Sequence, residues 1–142
     1  MLFRSSVAQG RVRFVGECTA QELAAIYAAG DLCVWPAVNE AYGMAMLEAQ
    51  AAGLPVVSSA TRGVRDVVHH PVTGLLAPQG DVPTFSKYIR ELLLDSDRRT
   101  AMGAAATRFV TAERSTAQAA ASLRHHLSGL APAVAVGGEG IP

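Results

Sequence analysis

Asp31-Leu32-Cys33-Val34-Trp35-Pro36 and, after a short polar stretch, Gly43-Met44-Ala45-Met46-Leu47-Glu48-Ala49-Gln50-Ala51-Ala52-Gly53-Leu54-Pro55-Val56-Val57-Ser58 read as strand, loop, helix and strand. Leu32 to Trp35 is apolar at every position, as expected of a strand covered on both faces in a parallel sheet, and Pro36 ends it. Trp35 is therefore expected in the core. Gly43 opens a helix carried by Met44, Leu47, Ala51 and Ala52. Gly53, the residue type that favours a left-handed cap, closes it. Pro55 to Ser58 is the next strand. Two strands joined through a helix by short connections make a parallel unit with ligands at the carboxyl ends of its strands.

The same alternation extends outward. Upstream, Arg11-Val12-Arg13-Phe14-Val15-Gly16 puts Val12 and Phe14 on one side of an extended run bounded by glycines, and predicts a first strand. Thr19-Ala20-Gln21-Glu22 is a capping box, after which Leu23, Ile26 and Tyr27 recur at helical spacing until Gly30. Downstream, Gly63 to Val68 predicts a short helix, Pro71 to Gly74 a turn, and Leu75-Leu76-Ala77 a last short strand closed by Pro78. From Asp81 the chain reads as helical. Asp81 caps a helix with Phe85, Tyr88, Ile89 and Leu92 on one face; Ser96 or Asp97 starts a second with Met102, Phe109 and Val110; Ser115 starts a third with Leu123 and Leu127. These faces are expected to cover the sheet. The expected fold class is α/β, a Rossmann-like parallel sheet flanked by helices. From Gly129 to Pro142 the chain is Gly, Pro, Ala and Val-rich without periodicity, so a flexible tail is expected at 129–142.

Composition narrows the functional classes. The 142 residues are half apolar, enough for one domain with a core of its own. Twelve Lys+Arg balance twelve Asp+Glu, so no net positive field recruits nucleic acid or anionic lipid. Lys87 is the only lysine. Met1 to Ser6 lacks the apolar run of a signal peptide, and no stretch approaches the length of a transmembrane segment, so a cytoplasmic location is expected. Cys18 and Cys33 have no ligand spacing and are expected as buried or half-buried free thiols. His69-His70 and His125-His126 are adjacent pairs whose rings diverge, which disfavours a metal site. Arg62 and Arg65 could approach a phosphate, with a solvent-facing role favoured.

The chemistry concentrates between Glu40 and Val57. The amides around Gly43, Met44 and Ala45 open a helix, where unpaired N–H groups and the helix dipole suit an anion. Glu40 precedes that helix and Glu48 lies within it, about one turn beyond Met44, so both carboxylates can border one crevice at different depths. Carboxylates repel phosphate but hold sugar hydroxyls by charge-assisted hydrogen bonds. Amides for a diphosphate and carboxylates for sugars describe a nucleotide-sugar site. Two glutamates at this spacing are common on solvated helices, so the weight rests on what surrounds them.

Those surroundings resemble a known family. Asp31 to Pro36 before Glu40, Gly43 three residues later, and Leu47-Glu48-Ala49 running into Ala52-Gly53-Leu54-Pro55-Val56-Val57 resemble the Glu-x7-Glu motif of retaining GT-B type glycosyltransferases, often called glycosyl transferases group 1. Val12 to Gly16, Gly63 to Val68 and Val72-Thr73-Gly74-Leu75-Leu76 are similar to further blocks of that family. The resemblance runs from about Arg11 to Leu127. It implies the C-terminal, donor-binding lobe of a GT-B fold over 11–128, partial at its start. It also implies sugar transfer with retention from a nucleotide-diphospho-sugar to an unknown acceptor. Glu40 then contacts the transferred sugar as the candidate catalytic residue, Glu48 holds the ribose, and amides of Tyr42, Gly43, Met44 and Ala45 hold the diphosphate. No cofactor and no metal are expected.

The resemblance also implies what the chain departs from. Family members have two lobes, and their donor lobe begins with a βα unit carrying an Arg and a Lys that neutralise the departing phosphates; neither is matched here. Asp66 stands where the family more often has Glu, and His69-His70-Pro71 where an acid-Gly turn is usual. The expectation is an enzyme by family, of hexosyltransferase type, inactive as this chain alone. Its acceptor, a glycan, lipid or small molecule, would sit on the missing lobe, and the full-length enzyme could associate with a membrane surface. The alternatives are a non-catalytic nucleotide-sugar-binding or partner module and, more remotely, a sugar-nucleotide epimerase of similar architecture.

Overall fold

The computed structural model describes residues 10–129. Helix α1 (Ala20–Ala29) starts at the expected capping box: Thr19 Oγ1 accepts from the Glu22 amide at 3.3 Å, and Glu22 Oε2 accepts from the Thr19 amide at 2.8 Å. Strand β1 (Cys33–Trp35), helix α2 (Met44–Ala51) and strand β2 (Val56–Ser59) follow, then the short α3 (Arg62–Arg65) and strand β3 (Gly74–Ala77). Three helices complete the described residues: α4 (Val82–Leu94), α5 (Ser96–Glu113) and α6 (Thr116–Ser128).

The three strands form one parallel sheet in the order β1-β2-β3, with Val34 opposite Val57 and Val57 opposite Leu75. Successive residues of β2 serve opposite faces. Val56 joins Met46, Leu47, Val64, Val67, Val68, Leu76 and Phe109 on one side. Val57 joins Leu75, Leu92 and Met102 on the other, against half-buried Phe85, Tyr88 and Ile89 of α4. Every residue of β2 and β3 is buried, the pattern of parallel strands covered on both faces.

Three expectations change. Val12 to Gly16 joins no ladder, Gly16 sits at φ 70°, and Phe14 is 79% exposed. Its alternation is that of a strand, yet among the described residues no neighbouring strand offers it hydrogen bonds, and a strand is fixed by its partner. For the same reason β1 is an edge strand, paired among the described residues only with β2, and Val34 and Trp35 are 42% and 40% exposed instead of core. Helix α6 has no buried residue and Leu123 is 60% exposed. A sheet of three strands is narrow, and α2, α4 and α5 already pack against it. Helix α5 starts at Ser96 as expected, with Asp95 as its cap, accepting from the Arg98 amide at 2.9 Å. The opening residues and the tail beyond Gly129 lie outside the described residues.

Asp81 caps α4 as expected, its two oxygens accepting from the Thr84 amide at 3.0 Å and the Thr84 hydroxyl at 2.6 Å. The Thr84 hydroxyl first, and the amide second, hold this carboxyl below its ordinary 3.8. A depressed folded-state value means the contribution is complete above the unfolded pKa and is lost as pH falls through the lower folded one. Asp81→Asn, which keeps an acceptor without a proton to take up, is therefore expected to lose less stability than wild type between about pH 5 and pH 2 by urea unfolding, a range that spans the ordinary Asp value. Equal losses in the two proteins would contradict this.

Candidate functional site

The carboxyl end of β1 leads through Pro36 to Gly43 into α2, and each step of that path is held. The Trp35 carbonyl accepts from the Ser58 hydroxyl at 2.7 Å and from the Ala37 amide at 2.8 Å, fixing where the strand ends. Glu40 then folds back on its own loop. Its Oε1 accepts from the Gly43 amide at 3.1 Å and its Oε2 from the Trp35 indole N–H at 3.1 Å. Each is a charge-assisted bond that fixes the carboxylate's orientation. Gly43 caps α2 at φ 89°, a left-handed conformation that glycine adopts without a steric cost. On the other side, an atom at the Cβ position of Gly63 in α3 would collide with the Ala41 carbonyl. The bare glycine lets loop and helix touch.

The expected amide cluster is part free and part spent. The Gly43 amide is taken by Glu40, while the amides of Met44 and Ala45 meet no acceptor among the described residues. The next two, of Met46 and Leu47, both bond the Gly43 carbonyl at 3.0 and 3.2 Å. Two orphan donors thus open a helix at the carboxyl end of a parallel strand, where an anion is stabilised by the N–H groups and by the dipole behind them. Tyr42 and Met44 are exposed beside them, and Ala45 is half-buried.

The two glutamates line different hollows. Glu48, exposed on α2, faces α1 across an open groove of about 430 Å³ walled by Ala20, Leu23, Ala24, Tyr27, Ala51 and Ala52. Burial first, and the Glu48 charge second, raise the Tyr27 phenol above its ordinary value. Glu40 lines a second hollow, of about 380 Å³, with Trp35, Pro36, Ala37, Val38 and Asn39. Along the chain the Met44 and Ala45 amides fall between the two carboxylates, and they line neither hollow.

The other candidates also line neither hollow. Arg62 and Arg65 are exposed on α3. His69 rests its ring on Phe109 at 4.1 Å, and His70 Nδ1 accepts from the Leu76 amide at 3.2 Å. Cys18 and Cys33 are free and half-buried; burial pushes the Cys33 thiol up to about 11. Trp35 is the residue the sequence reading misplaced. A tryptophan ending an edge strand five residues before an acid was the available signal.

A parallel sheet clad in helices, with orphan amides and carboxylates at a strand's end, defines a Rossmann-like domain of the kind found in the C-terminal half of GT-B enzymes. The family model described as glycosyl transferases group 1 matches residues 5–109, and the chain belongs to that family. Among curated relatives, D-inositol 3-phosphate glycosyltransferase of Salinispora tropica is 39% identical over 98 residues, covering 69% of this chain and 20% of that protein. The GDP-mannose-dependent alpha-(1-6)-phosphatidylinositol monomannoside mannosyltransferase of Mycobacterium tuberculosis is 36% identical over 125 residues, covering 83% of this chain and 32% of that one. Among solved structures, sucrose-phosphate synthase from Thermosynechococcus elongatus superposes with a TM-score of 0.75 at 30% identity over 89% of this chain and 34% of its own. Anabaena HepE in complex with UDP and glucose gives 0.77 at 23% identity, covering 85% of this chain and 33% of its own, a likeness of fold. The chain thus spans about a fifth to a third of these proteins. Among the described residues, no helix is long and apolar enough to cross a membrane.

Proposed function

We propose that this chain is the donor-binding part of a retaining glycosyltransferase that takes its sugar from a nucleoside-diphospho-sugar. The observation that carries the reading is the pair of unbonded amides, Met44 and Ala45, set between Glu40 and Glu48. The diphosphate sits on those amides with Tyr42 and Gly43 beside it. Glu48 takes the ribose hydroxyls at the mouth of the α1/α2 groove, and Glu40 takes hydroxyls of the transferred sugar. Helix-end donors stabilise the charge that builds on the leaving diphosphate, so the reading needs no divalent ion. Retention, and Glu40 as the residue touching the reacting sugar, follow from the motif's resemblance. A glycan, lipid or small-molecule acceptor would be bound by the remainder of a two-lobed enzyme, and this chain by itself is expected to transfer no sugar.

Thermal unfolding with UDP, GDP and ADP tests the reading. A ligand at ten times its dissociation constant adds about 1.4 kcal/mol, a rise of roughly 3 to 6 °C in a domain of this size. One nucleotide is expected to raise the midpoint of wild type and to leave Glu48→Ala nearly unmoved. No shift with any nucleotide, or equal shifts in both proteins, overturns it.

A further inference from the structure

Trp35 is the only tryptophan in the sequence, and it is spent in an unusual way. A tryptophan kept for the core buries its ring and gives its N–H to a nearby backbone acceptor. Here the residue is 40% exposed at the edge of the sheet, and the N–H goes to the Glu40 carboxylate at 3.1 Å. Trp35 and Glu40 line one hollow, together with Pro36, Ala37, Val38 and Asn39. An ionised carboxylate offers about four lone-pair sites. The Gly43 amide and the Trp35 indole use one on each oxygen, which leaves each oxygen one further site. A carboxylate held in this way presents two acceptors in fixed register, suited to two neighbouring hydroxyls.

A hexose has the complementary chemistry. It carries a ring of hydroxyls around its edge and patches of C–H on its faces, so it calls for an aromatic wall beside fixed acceptors. We propose that Trp35 is a specificity-determining residue for the sugar half of the donor: its ring walls the hollow that a hexose enters, and its N–H holds the Glu40 carboxylate toward the sugar's hydroxyls. The inference rests on the donor-site reading above and adds to it the residue that distinguishes a nucleotide sugar from the bare nucleotide. Trp35 is given no role in holding the diphosphate, since the hollow it lines with Glu40 includes neither Met44 nor Ala45.

The test separates the two halves of the ligand. UDP and UDP-glucose, and GDP and GDP-mannose, are titrated calorimetrically into wild type, Trp35→Leu and Trp35→Phe, with tryptophan emission followed in wild type. For the pair that binds, the nucleotide sugar is expected to change the emission more than its own diphosphate does. Trp35→Leu is expected to weaken the nucleotide sugar about tenfold, the scale of losing a hydrogen bond to a charged group, and to leave the diphosphate within about twofold. Trp35→Phe, which keeps a wall and loses the donor, falls between. A purely structural role for Trp35 would weaken both ligands alike, and that result overturns the proposal. So does emission that responds to diphosphate and sugar nucleotide equally, a readout that stands even if the leucine variant fails to fold. A diphosphate that binds while the attached sugar adds nothing defeats this proposal alone; failure of every nucleotide to bind defeats the donor-site reading and this proposal with it.

Discussion

Gly43→Ala is expected to lower the unfolding free energy by roughly 2 to 5 kcal/mol, read as a fall in the urea midpoint at unchanged slope. Two costs combine. A side chain at φ 89° costs about 1 to 2 kcal/mol in the left-handed region. The added Cβ would also stand 2.6 Å from Met46 Cε and 2.9 Å from Val67 Cγ2, both in the packed cluster beneath α2, and overpacking of this kind costs about 1 to 3 kcal/mol. Gly80 supplies the control. It has a similar φ of 82° with nothing within 4 Å of its Cβ position, so Gly80→Ala should show the backbone cost alone. Equal effects at the two sites would contradict the packing of Gly43 against Met46 and Val67. The functional consequence follows from the same contact: the amide that Gly43 gives to Glu40, and the orientation of Met44 and Ala45 behind it, depend on that turn.

Gly63→Ala is expected to cost about 3 kcal/mol, although alanine is the better helix former. The nearest atoms to the added carbon are all backbone: the Ala41 carbonyl, in collision, and the Glu40 carbonyl oxygen at 2.6 Å. No rotamer change relieves a clash with backbone, so either α3 or the Glu40 loop must move. The variant should therefore lose stability and nucleotide response together, as judged by urea unfolding and by the ligand-induced rise in thermal midpoint. An alanine variant as stable as wild type would show that loop and helix are not in contact.

These glycines mark the division between what sequence carried and what it did not. Caps are local, and so the Thr19/Glu22 box, Asp81 and Ser115 were legible from spacing and appear where expected. The turn at Gly43 and the helix it opens were legible for the same reason. Pairing is not local. The run from Val12 to Val15 has the pattern of a strand and no strand to pair with among the described residues, and α6 has apolar residues yet none of them buried. Trp35 failed by the same route, since its burial depended on a strand beyond β1.

The site divides likewise. That Glu40 and Glu48 flank a helix start was readable from order along the chain. That they open into separate hollows was not, because it depends on α1 packing beside α2 and leaving Glu48 facing Tyr27. Nor could spacing show that Glu40 spends one acceptor on Gly43 and another on Trp35.

The central claim is that a nucleotide's diphosphate seats on the Met44 and Ala45 amides. A titration of isotope-labelled protein with UDP and GDP, followed amide by amide in nitrogen-proton correlation spectra, tests it most directly. The account predicts that the Met44 and Ala45 amides shift most, with Glu48 and the facing residues of α1 following. Large shifts confined to other surfaces, such as α6 or the Pro71 turn, with Met44 and Ala45 unmoved at saturation, would contradict it.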